Sequence, residues 1–151
     1  MTIDERLEEL GIVLPAVFPP AGNYLGCQRS GDLLYVGGHG PIDGPNAVTG
    51  KVGTDLTLEQ GREAARLTGL SILATMKEAL GTLDGVEQFV KVFGMVNVGG
   101  TFNRTPAVID GCSDLLVDVF GDKGRHTRSA VGMAALPFDI AVEIELIARV
   151  A

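Results

Sequence analysis

The amino-acid sequence predicts an α+β domain that combines two long helices with five strands. Three observations carry this prediction. Two segments repeat apolar residues at helical spacing, five short segments are rich in β-branched and other apolar residues, and the segments follow the order β-β-α-β-α-β-β. No internal repeat or linker divides the chain, so residues 1–151 are expected to form one domain, with a helical arm and a proline-rich lead-in over 1–22.

The predicted helical arm lies at the start of the chain. Thr2 and Glu5 have the spacing of a capping box, which predicts a short helix over Ile3–Leu10 that ends at Gly11. An extended, irregular lead-in is then indicated by residues that interrupt regular structure, namely Pro15, Pro19, Pro20 and Gly22.

A hairpin is predicted after the lead-in. Strands over Leu25–Arg29 and Leu33–Val36 flank Ser30-Gly31-Asp32, whose composition is typical of a tight turn. A glycine-rich turn over 37–41 and a loop over 44–50 follow.

The longest predicted helix covers residues 58–80. Thr57 and Gln60 form a second capping box at its start, and Gly81 ends it. The strand that follows, over 88–98, carries apolar residues on both sides. We therefore expect a sheet covered on both faces, by helices or by neighbouring subunits.

A second helix and two strands complete the chain. Pro106 suits the first turn of a helix over 105–120, and Gly121 lies just beyond its end. The closing strands, Arg128–Ala134 and Ile140–Val150, are expected to form a hairpin joined through 136–139.

Composition narrows the classes of function. Hydrophobic residues make up 46% of the chain and the mean hydropathy is +0.27, which is rich for a monomer and predicts an oligomer. The net charge is −7 and the isoelectric point is near 4.7. Such a surface repels phosphate backbones, and no basic cluster offsets it, so the composition argues against nucleic-acid binding.

The cysteines and the N-terminus indicate the compartment. Cys27 and Cys112 stand outside any Cys-x-x-Cys or Cys/His cluster, so free thiols are expected and a zinc site is not. The first residues are acidic, without an apolar core of signal-peptide length, and no run reaches the ~18 apolar residues of a membrane span. We therefore expect a cytoplasmic protein without a membrane partner.

The closing strands carry the candidate chemistry. Arg128 opens the first of them, and Glu143 and Glu145 share one face of the second because side chains alternate along a strand. A guanidinium binds a carboxylate through two parallel hydrogen bonds, and a glutamate can orient or deprotonate water. An arginine that binds a carboxylate, beside a glutamate that handles water, could hydrolyse a small acid. It could equally be an internal Arg–Glu ion pair that only fixes the hairpin.

The same segment resembles a known family. Arg128-Ser-Ala-Val, then Leu136-Pro, then Val142-Glu-Ile-Glu-x-Ile-Ala148 is similar to the C-terminal signature of the RidA (YjgF) family of enamine/imine deaminases, also described as endoribonuclease L-PSP-like. Segments 33–41 and 88–97 resemble that family's early strand with its glycine turn and its third strand. The resemblance implies a chorismate-mutase-like α+β fold with a mixed β-sheet and two main helices on one face. It also implies a homotrimer with a barrel-like core and active sites between subunits.

The resemblance assigns roles to particular residues. It implies that Arg128 holds the carboxylate of a 2-imino acid and that Glu143 positions the hydrolytic water, with pairing of the glutamates to Arg149 or Lys91 as the structural alternative. The remaining residues implied to contact substrate are Tyr24, across the subunit interface, and the glycine-turn and strand positions Gly38, His39 and Ala130. Tyr24 could instead pack at the edge of the interface, and His39 could be a hydrogen-bonded loop residue.

Several positions depart from the family pattern. Gly37 lacks the family's usual hydroxyl, Ala130 stands where cysteine is common, and His126 replaces part of the usual Pro-Ala-Arg. The family's ligand-facing asparagine is not evident around 108–110. His126 could tune a neighbouring group or be a solvated loop residue. These departures indicate an altered pocket.

The resulting functional hypothesis is hydrolysis of 2-imino or enamino acids to 2-keto acids and ammonia, with no metal and no organic cofactor. The expected partners are a small carboxylate-bearing metabolite and two further copies of the chain. The alternatives are a small-metabolite binding protein without turnover, an endoribonuclease and a chorismate-type rearrangement enzyme, since a shared fold does not fix a reaction.

Overall fold

A five-stranded mixed sheet forms the centre of the protein, whose computed structural model describes all residues from 1 to 151. The α-helices are α1 Ile3–Glu9, α2 Leu58–Leu80 and α3 Thr105–Phe120. The strands are β1 Cys27–Ser30, β2 Leu33–His39, β3 Ile42–Asp43, β4 Asn46–Ala47, β5 Val86–Asn97, β6 Thr127–Met133 and β7 Val142–Val150. Short 3₁₀ turns lie at Gly121–Gly124 and Pro137–Asp139. The α+β class is confirmed.

The helices begin and end as the sequence predicts. Both capping boxes are present: the Thr2 and Thr57 hydroxyls accept from the backbone N–H groups of Glu5 and Gln60, and those side chains accept in return. Gly81 follows α2 and Gly121 follows α3, each with a positive φ. Helix α2 therefore starts and stops on local signals, and α3, which has Pro106 in its first turn and no side-chain cap, stops before Gly121.

The strand order is β1-β2-β7-β5-β6, so the last strand of the chain lies in the middle of the sheet. Only β5 and β6 are parallel, and the other neighbours are antiparallel. Alternate residues of β7 face the helices and are buried, and they are Val142, Ile144, Leu146, Ala148 and Val150. Helix packing on this face is tight enough that β5 uses Gly94, where a Cβ would lie 2.6 Å from Ile109 of α3.

The predicted closing hairpin is wrong. β6 and β7 do not pair, because β5 lies between them and is hydrogen-bonded to both. The physical reason is the β5–α3–β6 unit, since a helical crossover allows two strands to run parallel side by side. The chain then turns at Pro137–Asp139 and inserts β7 between β2 and β5.

Smaller differences concern the edges of the sheet. β1 begins at Cys27 rather than Leu25, and β2 continues through the glycine turn to His39, with an irregular register between Val36 and His39. A short two-stranded pair, β3 with β4, follows the glycine turn, and β4 occupies part of the loop expected over 44–50. Within β5, Val90 is exposed, because a bulge near Phe89 changes which side chains face inward.

The second face of the sheet is left open by the chain itself. Strand residues on this side alternate with the buried set, and they include Tyr35, Phe93, Ile147 and the two glutamates of β7. The helices therefore cover one face only, and the expected cover on both faces is not supplied within one chain. No helix is both long enough and apolar enough to cross a bilayer.

Helices α2 and α3 touch through glycine. A Cβ at Gly111 would lie 2.0 Å from the backbone oxygen of Arg62, so the two helices pack backbone to backbone at this point. A backbone atom cannot move aside as the end of a side chain can, and the whole helix would have to shift.

We expect Gly111→Ala to destabilise the fold by about 2–3 kcal/mol, although alanine favours helix more than glycine does. The thermal midpoint should fall by roughly 4–10 °C. Gly85→Ala is the matched control, because a Cβ there meets nothing within 4 Å. Equal midpoints for the two variants in a thermal melt would contradict the close helix contact.

Candidate functional site

A cavity of about 160 Å³ lies where the end of β2 meets the start of β7. It brings together four of the residues singled out from the sequence, which are Tyr24, Gly38, His39 and Glu143. The proline-rich lead-in and the Pro137–Asp139 turn complete its wall. Arg128 and Ala130 do not line it.

Glu143 is the one carboxylate in this cavity. It lies against Gly38, where a Cβ would be 3.0 Å from its Cδ, so the absence of a side chain at Gly38 makes room for the carboxylate. Glu143 forms no ion pair and accepts no hydrogen bond from the chain, and Arg149 pairs instead with Glu87 at 3.1 Å. The structural alternative of an ion pair with Arg149 or Lys91 is therefore wrong.

The electrostatics of Glu143 suit proton transfer. Burial raises the pKa of its carboxyl group above the ordinary value of 4.5, and the neighbouring charge of Glu145 raises the pKa further. A higher pKa makes the carboxylate a stronger base. It also brings the pKa closer to neutral pH, where a general base is most effective.

His39 is held as a neutral imidazole. Its Nδ1 lies 2.7 Å from the Gly37 oxygen and its Nε2 lies 2.8 Å from the Thr75 hydroxyl of α2. Nδ1–H therefore donates to the carbonyl and Nε2 accepts from the hydroxyl. Burial lowers the pKa of His39, which favours this form. Both nitrogens are engaged, and His39 shapes the cavity wall through its ring.

Tyr24 lies at the mouth of the cavity with 56% of the residue exposed. Its hydroxyl accepts a hydrogen bond of 3.1 Å from the backbone N–H of Ala21 within the lead-in. This bond fixes a tight local turn and leaves more than half of the residue exposed. The ring is available to a ligand or to a neighbouring copy.

Arg128 lies on β6 with its guanidinium against α3. Its Nη1 donates to Asp110 Oδ1 at 2.7 Å and to Ser113 Oγ at 3.1 Å, and its Nη2 donates to the Pro106 oxygen at 3.4 Å. The side chain retains 21% exposure. Arg128 thus has an internal acidic partner, as one hypothesis from the sequence held, but the partner is an aspartate of α3.

His126 supports the same cluster. Its Nδ1–H donates to the Gly124 oxygen at 2.6 Å, and its Nε2 accepts from the Ser113 hydroxyl at 2.9 Å. Burial lowers the pKa of His126, the hydrogen bond to the Gly124 oxygen opposes this shift, and the positive charge of Arg128 also lowers the pKa. The interpretation of His126 as a solvated loop residue is wrong, because the ring is half-buried and fully hydrogen-bonded.

Ala130 lies on β6 two residues beyond Arg128. Its backbone oxygen accepts a hydrogen bond of 3.0 Å from the Thr105 hydroxyl at the start of α3. This bond ties β6 to the helix that carries Asp110, so both ends of the Arg128 side chain are anchored to one rigid unit.

The two groups of residues do not meet within one chain. Arg128 lies opposite Val92 and Glu143 lies opposite Met95, on strands separated by β5. The strands are about 10 Å apart, and the three-residue offset adds about 10 Å along them. The side chains also point to opposite faces of the sheet. A small ligand in the cavity therefore cannot contact both side chains of the same chain.

Sequence reasoning missed Asp110 and Ser113. Their spacing of three residues places them on one face of α3, which was a detectable signal. Their partners Arg128 and His126 lie outside α3, so no local sequence pattern indicated the pairing. The Pro137–Asp139 turn was read as a connection, and its part in the cavity wall was also missed.

Other parts of the surface offer no comparable chemistry. A larger groove of about 920 Å³ runs between the N-terminal arm and α2, but none of the candidate residues lines it. No group of three or more His, Cys, Asp or Glu side chains is gathered as metal ligands would be. Cys27 and Cys112 are both free, and burial raises the pKa of the Cys112 thiol to about 12.

The fold and the cavity can be set beside known proteins. Residues 4–150 match the family described as "YjgF/chorismate mutase-like, putative endoribonuclease". The chain belongs to this family, which confirms the RidA/YjgF resemblance seen in the sequence.

Individual relatives agree over nearly the whole chain. Protein TCP17 of Trypanosoma cruzi is 44% identical over 142 residues, covering 93% of this chain and 89% of that protein. The crystal structure of Atu1372 from Agrobacterium tumefaciens, of unknown function, is 42% identical with a TM-score of 0.91, covering 99% of this chain and 92% of the other. The crystal structure of a protein from Shewanella oneidensis described as a "putative endoribonuclease" is 32% identical with a TM-score of 0.96. The match covers 99% of this chain and 100% of the other.

We expect Glu143→Gln to raise the thermal midpoint at pH 7.5 by up to about 2 °C, less than about 1 kcal/mol because water screens the half-buried carboxylate. A raised pKa in the folded protein means that the charged form opposes folding. That penalty is complete above the folded-state pKa and vanishes below the ordinary value of 4.5.

The higher thermal midpoint of Glu143→Gln relative to wild type should therefore disappear at pH 4. Glu63→Gln, on an exposed and unpaired glutamate of α2, is the control and should show no such pH dependence. A Glu143→Gln protein that melts lower than wild type at pH 7.5 would contradict the assignment of an unpaired, disfavoured charge.

Proposed function

We propose that the protein hydrolyses the C=N bond of small 2-imino or enamino acids, giving 2-keto acids and ammonia. The observation that carries the proposal is the Glu143 carboxylate, unpaired and partly desolvated at the wall of a cavity. A structural glutamate on the central strand would gain from an ion partner, and this one has none. Membership of the YjgF family supports the same class of reaction.

The proposed chemistry needs a base and an oriented water. A protonated imine is already electrophilic at C2, so a water held by Glu143 can add there as the carboxylate accepts its proton. Glu143 then returns that proton to the nitrogen of the carbinolamine, and the carboxylate takes the hydroxyl proton as the C–N bond breaks, which releases ammonia and leaves the 2-keto acid. The reaction consumes one water and requires no change of oxidation state.

Arg128 is proposed to hold the substrate carboxylate. Asp110 and Ser113 occupy its Nη1, whereas Nε and one Nη2–H have no partner in the chain. This free edge has the geometry for two parallel hydrogen bonds to a carboxylate. Each is worth about 1.5–3 kcal/mol when charged groups are involved, so the edge could supply much of the binding energy.

The site is proposed to be completed between subunits of a homotrimer with a barrel-like core. The open face of the sheet presents Tyr35, Phe93 and Ile147, which a neighbouring copy would cover. The opposite orientations of Arg128 and Glu143 support the same arrangement, because two copies are needed to place both side chains on one ligand. Free thiols at both cysteines support a reducing compartment, and we propose the cytoplasm.

Binding without turnover is the second candidate. It is favoured by the Arg128–Asp110 ion pair, since a guanidinium already neutralised at 2.7 Å attracts a second carboxylate less strongly. A binding protein would retain saturable affinity for 2-keto acids in calorimetry and show no imine hydrolysis above the rate in water.

An endoribonuclease is less well supported by the geometry. His39 and His126 lie three strand spacings apart, about 14 Å across the sheet, with a further offset along the strands, and each has both ring nitrogens engaged. They do not form an acid–base pair within the chain. The net charge of −7 also opposes approach of RNA.

Coupled hydrolysis of 2-iminopropanoate tests the proposed activity. Glu143→Gln and Arg128→Ala should each lower kcat/KM by about 100-fold or more, through loss of the base and of the carboxylate contact. Arg62→Ala is the matched control, because Arg62 forms a similar pair with Asp114 at 2.8 Å on the helix surface. Rates unchanged in Glu143→Gln would exclude the proposed role of the carboxylate.

A further inference from the structure

The wall of the Glu143 cavity contains a backbone segment that most side chains avoid. Phe138 and Asp139 both have a φ of +57°, and they are the only residues other than glycine with positive φ in the chain. A bulky residue is disfavoured in this left-handed region, where glycine and asparagine are preferred. Such strain persists only where the surroundings impose it, and it concentrates at functional sites.

A hydrogen-bond network around the buried Asn97 holds the residues that follow Phe138 in place. Asn97, fully buried at the end of β5, donates from Nδ2 to Asp139 Oδ1 at 2.9 Å and to the Ile140 oxygen at 3.1 Å. The backbone oxygen of Asp139 accepts from Gly50 N–H at 2.8 Å. Lys51 donates to Asn97 Oδ1 at 2.8 Å and so closes the network. The turn is held in place by contacts that do not involve the ring of Phe138.

That ring contributes little to the fold. Phe138 is 80% exposed, so it gains almost none of the free energy that burying an aromatic side chain provides. The sequence therefore keeps a large apolar ring at a position where the backbone disfavours it and where packing does not require it. A role outside the folded chain explains both features.

The chemistry of the cavity indicates what the ring contacts. Phe138 lines the cavity together with Tyr24 and Phe18, both of which are about half exposed, so three aromatic rings surround the approach to Glu143. No lysine or arginine lines it, and its histidine is fully hydrogen-bonded. The part of a ligand that enters here is uncharged and apolar, and a flat group would stack on the rings.

We infer that Phe138, with Tyr24 and Phe18, forms a binding surface for the side chain of the substrate and selects substrates with an aromatic or large apolar side chain over the smallest ones. The inference rests on the proposed function, because it takes the reacting carbon to lie at Glu143. It makes Phe138 a residue that determines specificity, while the water and its base remain those already described.

Calorimetry with two 2-keto acids, phenylpyruvate and pyruvate, tests the inference without requiring turnover. Wild type should bind phenylpyruvate at least about tenfold more tightly than pyruvate, as expected for burial of a ring. Phe138→Asn should reduce this preference to about twofold or less. Because asparagine tolerates the left-handed backbone, the same variant should melt at or above the wild-type temperature.

Two further variants serve as controls for the calorimetry. Phe138→Tyr keeps the ring and should keep the preference. Val13→Asn removes another apolar side chain, 88% exposed, which lines the groove beside the N-terminal arm and not the cavity, and should leave both affinities unchanged. Light scattering on every variant reports the size of the assembly.

Several outcomes would overturn the inference. Equal affinities for the two acids in wild type, no binding of either acid, or an equal loss of both in Phe138→Asn would each do so. A Phe138→Asn protein of lower mass would show that Phe138 is a contact between copies. Ring-selective binding without any imine hydrolysis would instead reject the proposed reaction and leave the binding surface standing.

Discussion

Strand β7 is hydrogen-bonded along both of its edges, to β2 and to β5, and the candidate site depends on this central position. Its even-numbered residues pack under the helices and cannot be polar, so its odd-numbered positions alone are free to carry charge. Glu143 uses one of them. Pairing with β2 places it against Gly38, where the missing side chain leaves room for the carboxylate. A one-residue change of register would move the carboxylate into the core.

The same sheet separates the two halves of the proposed chemistry. Arg128 faces α3 from the edge strand β6, held by Asp110 and Ser113, whereas Glu143 faces the open side beside the aromatic rings. Each half is rigid by itself, because one is tied to a helix and the other to the centre of the sheet. In the proposed function, association of copies is part of catalysis, since it would bring a pre-oriented guanidinium to a pre-oriented base.

Local signals in the sequence predict much of this structure. Capping boxes at Thr2 and Thr57 and the glycines after α2 and α3 mark helix ends, because capping depends on neighbouring residues only. Strand alternation likewise places Glu143 and Glu145 on one face. Pairing between distant segments could not be read in this way: β6 joins β5 rather than β7, and Arg128 meets Asp110. The left-handed turn at Phe138 and Asp139 had no local signal, because Asn97, which donates to Asp139, lies 42 residues before Asp139 in the chain.

The central claim is that Glu143 of one copy and Arg128 of another act on the same substrate, and mixing two inactive variants tests it most directly. Glu143→Gln and Arg128→Ala chains would be co-expressed in equal amounts and assayed for hydrolysis of 2-iminopropanoate. In randomly mixed closed rings, half of the chains supply an intact glutamate and half of their neighbours supply an intact arginine, so about a quarter of wild-type activity should return. Activity no higher than that of either variant alone, in assemblies shown to contain both chains, would contradict a site shared between copies.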